Sequence, residues 1–205
     1  MYRIEISGGI ATGKTTLADR LREKCGLDVF FEKFREVPFW QECYDSEGRQ
    51  YVFPKNIGFL LFHAHSLVEA KTLGKPSVCD FAYFQDLAYA DLSPQDLPIL
   101  TSVSERLIEG LPSPAAIIDL SCPSDIQLQR IRDRNRLPEQ AIDASFLRRL
   151  RGAIDARRDA LKVPLIEIDS HAINFTKEHD PDGVEVCKIW QHVRSAMKML
   201  GSLPA

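Results

Sequence analysis

The sequence predicts an α/β fold of three layers: a five-stranded parallel sheet flanked by helices on both faces. Three observations lead there. Short apolar runs alternate with longer stretches of 3.6-residue periodicity, the pattern of repeated β-α units. The first run leads directly into Gly8-Gly9-Ile10-Ala11-Thr12-Gly13-Lys14-Thr15, a G-x-x-x-x-G-K-[ST] motif followed by a helix-like stretch at 15–21. The 205 residues, 44% of them apolar, suffice for one well-buried core and are few for two full domains. With no long polar linker, a single domain over 1–205 is expected.

The first strand is expected at 2–7, where apolar and polar residues alternate. A second follows at 27–31. The helix after it shows one stripe of Ile57, Leu60, Leu61, Ala64, Leu67 and Val68, and Pro54 marks its start or a break just before it. A Gly-Lys-Pro turn introduces the third strand at 76–80. A helix at 97–111 is closed by Gly110 and Pro112, and Pro112 and Pro114 lead into the fourth strand at 115–120. Helices at 125–134 and 146–161, a fifth strand at 163–168 and a last helix at 184–200 complete the chain. The Glu178-x-Asp180-x-Asp182-Gly183 segment looks like half of a calcium loop. Ile189 stands where the bidentate glutamate is required, so a turn capping the last helix is the better reading.

Composition removes several classes of function. A formal charge of −3 gives a nucleic-acid or anionic-membrane partner no global support. No apolar run approaches the about 20 residues that span a bilayer. The first residues read as a strand rather than a signal segment, and a cytoplasmic protein is expected. The five cysteines, Cys25, Cys43, Cys79, Cys122 and Cys187, are odd in number, far apart and without a C-x-x-C pair, which suits free thiols. His63 and His65 are two apart and would point to different sides of a helix, the wrong spacing for a shared metal.

The glycine-rich motif is the strongest chemical signal. Its glycines let consecutive N–H groups turn toward one anion, and the next helix aims its positive end at it. Gly8, Gly9, Ile10, Ala11, Thr12, Gly13, Lys14, Thr15 and Thr16 are therefore expected to hold the phosphates of ATP or another nucleoside triphosphate. Lys14 would reach the β- and γ-phosphates and Thr15 would offer its hydroxyl to Mg²⁺. The alternative is a plain strand-to-helix turn with a surface lysine.

In open parallel sheets, ligands sit beyond the carboxyl ends of the strands. Glu32 follows strand two and Asp80 ends strand three, both on that edge. A carboxylate there can hold Mg²⁺ or accept a proton from an attacking hydroxyl. The metal role suits Asp80, whereas Glu32 taken alone could equally be a solvated strand end. Arg130, Arg132, Arg134 and Arg136 put four arginines into seven residues. They could form a solvated helix end. Beside a phosphate-binding loop they read instead as a lid at about 130–141, whose forked guanidinium groups clamp a phosphoryl group in flight.

These pieces, in this order, resemble the deoxynucleoside kinase family, particularly its bacterial deoxyguanosine/deoxyadenosine kinase branch, over about residues 1–175. The segment Glu32-Lys33-Phe34-Arg35-Glu36-Val37-Pro38-Phe39 is similar to the family's E-N-F-E-E-N-P-F. Val78-Cys79-Asp80-Phe81 occupies the place of its acid–arginine pair or of the D-Y variant of its bacterial members. Leu111-Pro112-x-Pro114 and Arg130-x-x-x-Arg134-x-Arg136-x-x-Glu139 are similar to its L-P-x-P-D strand and R-I-x-x-R-G-R-x-x-E lid. The resemblance implies the P-loop kinase strand order 2-3-1-4-5 and ATP-dependent phosphorylation of a nucleoside 5′-hydroxyl. By the same match Glu32 is the base, Tyr44 touches the deoxyribose, Asp86 contacts the nucleobase, and Glu139 belongs with the lid and acceptor. It also implies a homodimer built on helix packing.

The departures concern the acceptor and the transferring phosphate. Phe81 stands where many members have an arginine, and Gln85 where the bacterial variant offers a lysine. Assuming one inserted residue before Tyr51, Pro54 and Leu61 fall on a base-reading glutamine and its supporting arginine. Asn135 replaces the lid glycine, a mild change because Asn tolerates left-handed backbone. Three functions are thus to be told apart: a nucleoside kinase, a P-loop kinase for another small molecule, and a nucleotide-binding module with weak or lost transfer.

Overall fold

The computed structural model describes residues 2–44 and 48–199. Its central strand, β1 (Arg3–Gly8), is buried along its whole length. Ile4 and Ile6 face one helical layer, while the alternate residues face the other, as the two-residue period of a strand requires. Glu5 is among those alternates. Its buried carboxylate is matched by Arg3 at 2.8 Å and by the Tyr83 N–H at 3.0 Å, which offsets the cost of removing the charge from water.

The other strands are β2 (Asp28–Phe30), β3 (Ser77–Cys79), β4 (Ala116–Ser121) and β5 (Leu165–Asp169). Their order is β2-β3-β1-β4-β5 and every pairing is parallel, as expected for a P-loop kinase fold. The pleat divides the core in two. Val78 joins Ile4, Ile6, Ile118 and Leu120 under α1 (Lys14–Cys25) and the last helix, α7 (Val184–Met199). Cys79 joins Leu60, Leu67 and Leu100 under α2 (Val52–Leu73) and α4 (Leu97–Leu107). The remaining helices are α3 (Gln85–Ala90), α5 (Ser124–Asp133) and α6 (Ala144–Arg158), with α3 and α6 packed around Ala88, Leu150 and Ile154. At six residues, α3 is too short to announce itself by periodicity.

Pro54 sits at the third position of α2, where its missing N–H costs no helical bond. The stripe expected on this helix is narrower than the sequence implies. Leu60, Ala64 and Leu67 are buried, but Leu61 and Val68 are 50% and 45% exposed. Each lies one residue, about 100° of arc, past a core position, which carries it out of the interface. The α4 helix stops at Leu107, and Gly110 turns the chain with φ 76°. The Asp180 carboxylate accepts the N–H groups of Glu185 and Val186 and so caps α7. Leu200, the expected end of that helix, lies outside the described residues. All five cysteines are free. Among the described residues, no helix is long and apolar enough to cross a membrane.

Candidate active site

A cleft of about 690 Å³ opens at the carboxyl ends of the strands. Residues 10–16 of the glycine-rich loop form one wall, and Gly8 and Gly9 lie buried beneath them. Gly8 has φ 146°, and a Cβ there would stand 2.6 Å from Thr12 Oγ1 and 2.7 Å from the Leu120 carbonyl oxygen. The turn therefore requires glycine. Gln85 clamps the same residue: its Oε1 accepts the Gly8 N–H at 3.2 Å and its Nε2 donates to the Gly8 carbonyl at 3.0 Å. The side chain that supplies no charge to the site thus braces the loop. Lys14 Nζ donates to the carbonyls of Gly8 at 2.9 Å and Gly9 at 3.1 Å. Burial pushes the Lys14 ammonium below its ordinary range, against the pull of the Glu32 and Asp80 carboxylates.

Those carboxylates come together as the strand ends suggest. Asp80 is almost fully buried; its Oδ1 accepts the Glu32 backbone N–H at 2.5 Å, and its carboxylate also takes the Thr15 hydroxyl. Burial first, and then the Glu32 charge, push its carboxyl up to about 6. Glu32 itself lines the cleft. Burial would raise its carboxyl, but His63, then Lys14 and Arg136, hold it below the usual range.

The acceptor end differs from the sequence expectation. Neither Pro54 nor Leu61 lines the cleft; they lie seven apart on a side of α2 that turns away. The residues two positions further on, Asn56 and His63, hold the inward side together with Phe59. Two positions along a helix rotate a side chain by about 200°, so Pro54 and Leu61 face away where Asn56 and His63 face in. Asn56 is 4% exposed, Lys55 lies beside it in the wall, and Asp86 completes this end. Asp86 is bonded to His63: Nδ1 lies 2.8 Å from Oδ2 and 3.0 Å from Oδ1. Burial alone would lower the His63 ring, but Asp86, then Glu32, outweigh it and hold the ring at about 10. Phe81 lies flat against that ring, with centroids 3.9 Å apart.

The arginines divide into two groups. Arg130 is tied down, donating to the Ala11 carbonyl at 3.3 Å and the Ser170 carbonyl at 3.0 Å. Arg134 and Arg136 share the buried Glu139, at 2.5 and 3.4 Å, and Arg136 also lies 4.5 Å over the Phe34 ring. Arg130, Arg134, Arg136 and Glu139 line the cleft, whereas Arg132 is exposed outside it; Asn135 adopts φ 46°, the left-handed backbone its side chain tolerates. Tyr44 ends a short 3-10 turn (Glu42–Tyr44), and its side chain lies outside what is described. The loop after β5 was not anticipated: Ile173, Asn174, Phe175 and Thr176 wall the cleft beside the glycine-rich loop, and the Phe175 ring stands 3.2 Å from where a Gly13 Cβ would be. The strand-end rule covers this loop, but no motif marks it.

Known proteins resemble this chain in sequence and in fold. Residues 4–192 match the family model described as deoxynucleoside kinase. Deoxyguanosine kinase of Bacillus subtilis is 30% identical over 154 residues, 72% of this chain and 73% of that protein. Deoxyadenosine kinase of Lactobacillus acidophilus is 29% identical over 149 residues, 67% of this chain and 68% of its own. In fold, the chain is similar to a deoxyadenosine kinase from M. mycoides with bound dATP, with a TM-score of 0.72 and 20% identity over 90% of this chain and all of the other.

Proposed function

The chain belongs to the deoxynucleoside kinase family, and we propose that it moves the γ-phosphoryl group of ATP to the 5′-hydroxyl of a deoxynucleoside lying between Glu32 and Asp86. The observation that carries this reading is the position of Glu32, in one cleft with Lys14 on its donor side and Asn56 and Asp86 on its acceptor side. The acceptor oxygen forms a bond to γ-phosphorus as the bond to the β,γ-bridging oxygen breaks. The hydroxyl proton passes to the Glu32 carboxylate and ADP leaves. Residues 8–16 hold the triphosphate, with Lys14 against its charge. Arg130 braces the loop, while Arg134 and Arg136, released from Glu139, clamp the transferring group. Asn56, Asp86 and Tyr44 meet the nucleoside. Residues 130–141 act as a lid within one domain over 1–205.

Mg²⁺ fits the donor set. It takes one or two carboxylates, phosphates and water rather than an all-protein cage, and no cluster of three acidic, histidine or cysteine ligands occurs among the described residues. Thr15 and Asp80 would hold the ion; a carboxyl raised by burial and by its neighbour's charge gains from a cation. Bound there, Mg²⁺ would neutralise charge on the β- and γ-phosphates.

A panel of deoxynucleosides, ribonucleosides, nucleoside monophosphates and small alcohols with labelled ATP tests the assignment. Saturable transfer to the 5′-position of a deoxynucleoside is expected; transfer only to the other acceptors, or none, refutes it. The polar lining at Lys55, Asn56 and Asp86 supports the nucleoside over an apolar acceptor. The free thiols agree with a cytoplasmic enzyme. We also infer a homodimer through α2, on which Leu61 and Val68 present one exposed apolar face. Light scattering should give the mass of two chains, and a single-chain mass would exclude it.

A further inference from the structure

Both nitrogens of the His63 ring face carboxylates. Nδ1 is 2.8 Å from Asp86 Oδ2, and Nε2 is 3.5 Å from Glu32 Oε1. Nε2 is shut off from solvent and makes no hydrogen bond, so the Glu32 carboxylate at ion-pair distance is the partner left to it. A neutral imidazole carries one proton, so whichever nitrogen lacked it would aim a lone pair at a carboxylate oxygen in a buried place. With both carboxylates ionised, only the doubly protonated ring meets both partners; burial works against an ionised Asp86, and the His63 charge itself works for it. We propose that His63 is a standing imidazolium that spans the acceptor site, positioning the Glu32 carboxylate with one N–H while the other holds Asp86.

The neighbours fit this role. Phe81 lies parallel to the ring, 11° between planes, and offers its negative face to the cation, while Phe59 tilts against it at 5.7 Å. Phe81 is therefore the platform for a charge carried by α2, and the acceptor side is not without a cation. The other charged groups acting on the pair are Lys14, Arg136 and the Asp80 carboxylate at Glu32 and Lys55 at Asp86. With Oε1 facing His63, Oε2 of Glu32 is left for the acceptor hydroxyl. Orientation counts for more than basicity here, because a loose phosphoryl transition state demands little charge on the nucleophile. Asp86 and Glu32 then share one ring, so an acceptor that shifts Asp86 also shifts the base.

The proposal rests on Glu32 as the base, and the two can fail separately. In the full-length enzyme labelled with ¹⁵N-histidine at pH 8, one ring should have both nitrogens protonated, although ordinary histidines are then mostly neutral. A spectrum in which every ring has a bare nitrogen overturns the proposal, whatever the variants do. His63→Gln, which keeps a donor toward Asp86 but no charge, should lower kcat about ten- to a hundredfold with KM for ATP unchanged. An unchanged kcat overturns the positioning role while leaving the base assignment intact. Normal turnover in a Glu32→Gln enzyme that keeps the imidazolium signal would instead remove the base.

Discussion

Replacing Glu32 by glutamine should lower kcat by about a hundred- to ten-thousandfold, the range for losing a positioned general base. The amide keeps the shape of the side chain and the backbone N–H bond to Asp80, so the strand end should stay in place. It can still accept from His63 but cannot take the hydroxyl proton. KM for ATP should hold, because the phosphates are bound by residues 8–16, and that constancy separates lost chemistry from lost binding. Steady-state kinetics with saturating acceptor measure both constants. Turnover at the wild-type rate would return Glu32 to a solvated strand end and leave the cleft without an assigned base.

Lys14→Ala should lower kcat by about a hundred- to a thousandfold, as removal of a preorganised charge from a phosphoryl-transfer site does. Unlike Glu32→Gln it should also raise KM for ATP, since Lys14 acts on the ground-state triphosphate as well as on the transition state. The ammonium is bonded to the Gly8 and Gly9 carbonyls and sits at the cleft beside Glu32 and Asp80 rather than in the apolar core, so the fold should survive. A melting temperature near that of the wild type would confirm this. Turnover and ATP affinity both near normal would mean that Arg134 and Arg136 carry the phosphate charge without it.

The legible parts of this protein are the ones written locally. The glycine-rich loop, its lysine and the arginines of 130–136 are each contained in a few consecutive residues, and strand ends placed Glu32 and Asp80 on the right edge of the sheet. Asn56 and His63 were missed because a helix turns about 100° per residue, so residues two positions apart face different ways, and only the packing of α2 shows which of them face the cleft. Gln85 was legible only as a missing charge. Its two bonds to Gly8, 77 residues away, are what give it a purpose.

From its residue order alone, then, this chain specified a parallel α/β sheet, a triphosphate loop and the carboxylates beside it, because hydrophobic periodicity and backbone turns are short-range properties. How the acceptor half is wired came from the packing. His63 lies 31 residues from Glu32 and 23 from Asp86 in sequence. It meets both only because α2 lies across the ends of β2 and β3 with Phe81 beneath the ring. Contacts of that separation depend on how elements pack against one another, and no local pattern records them.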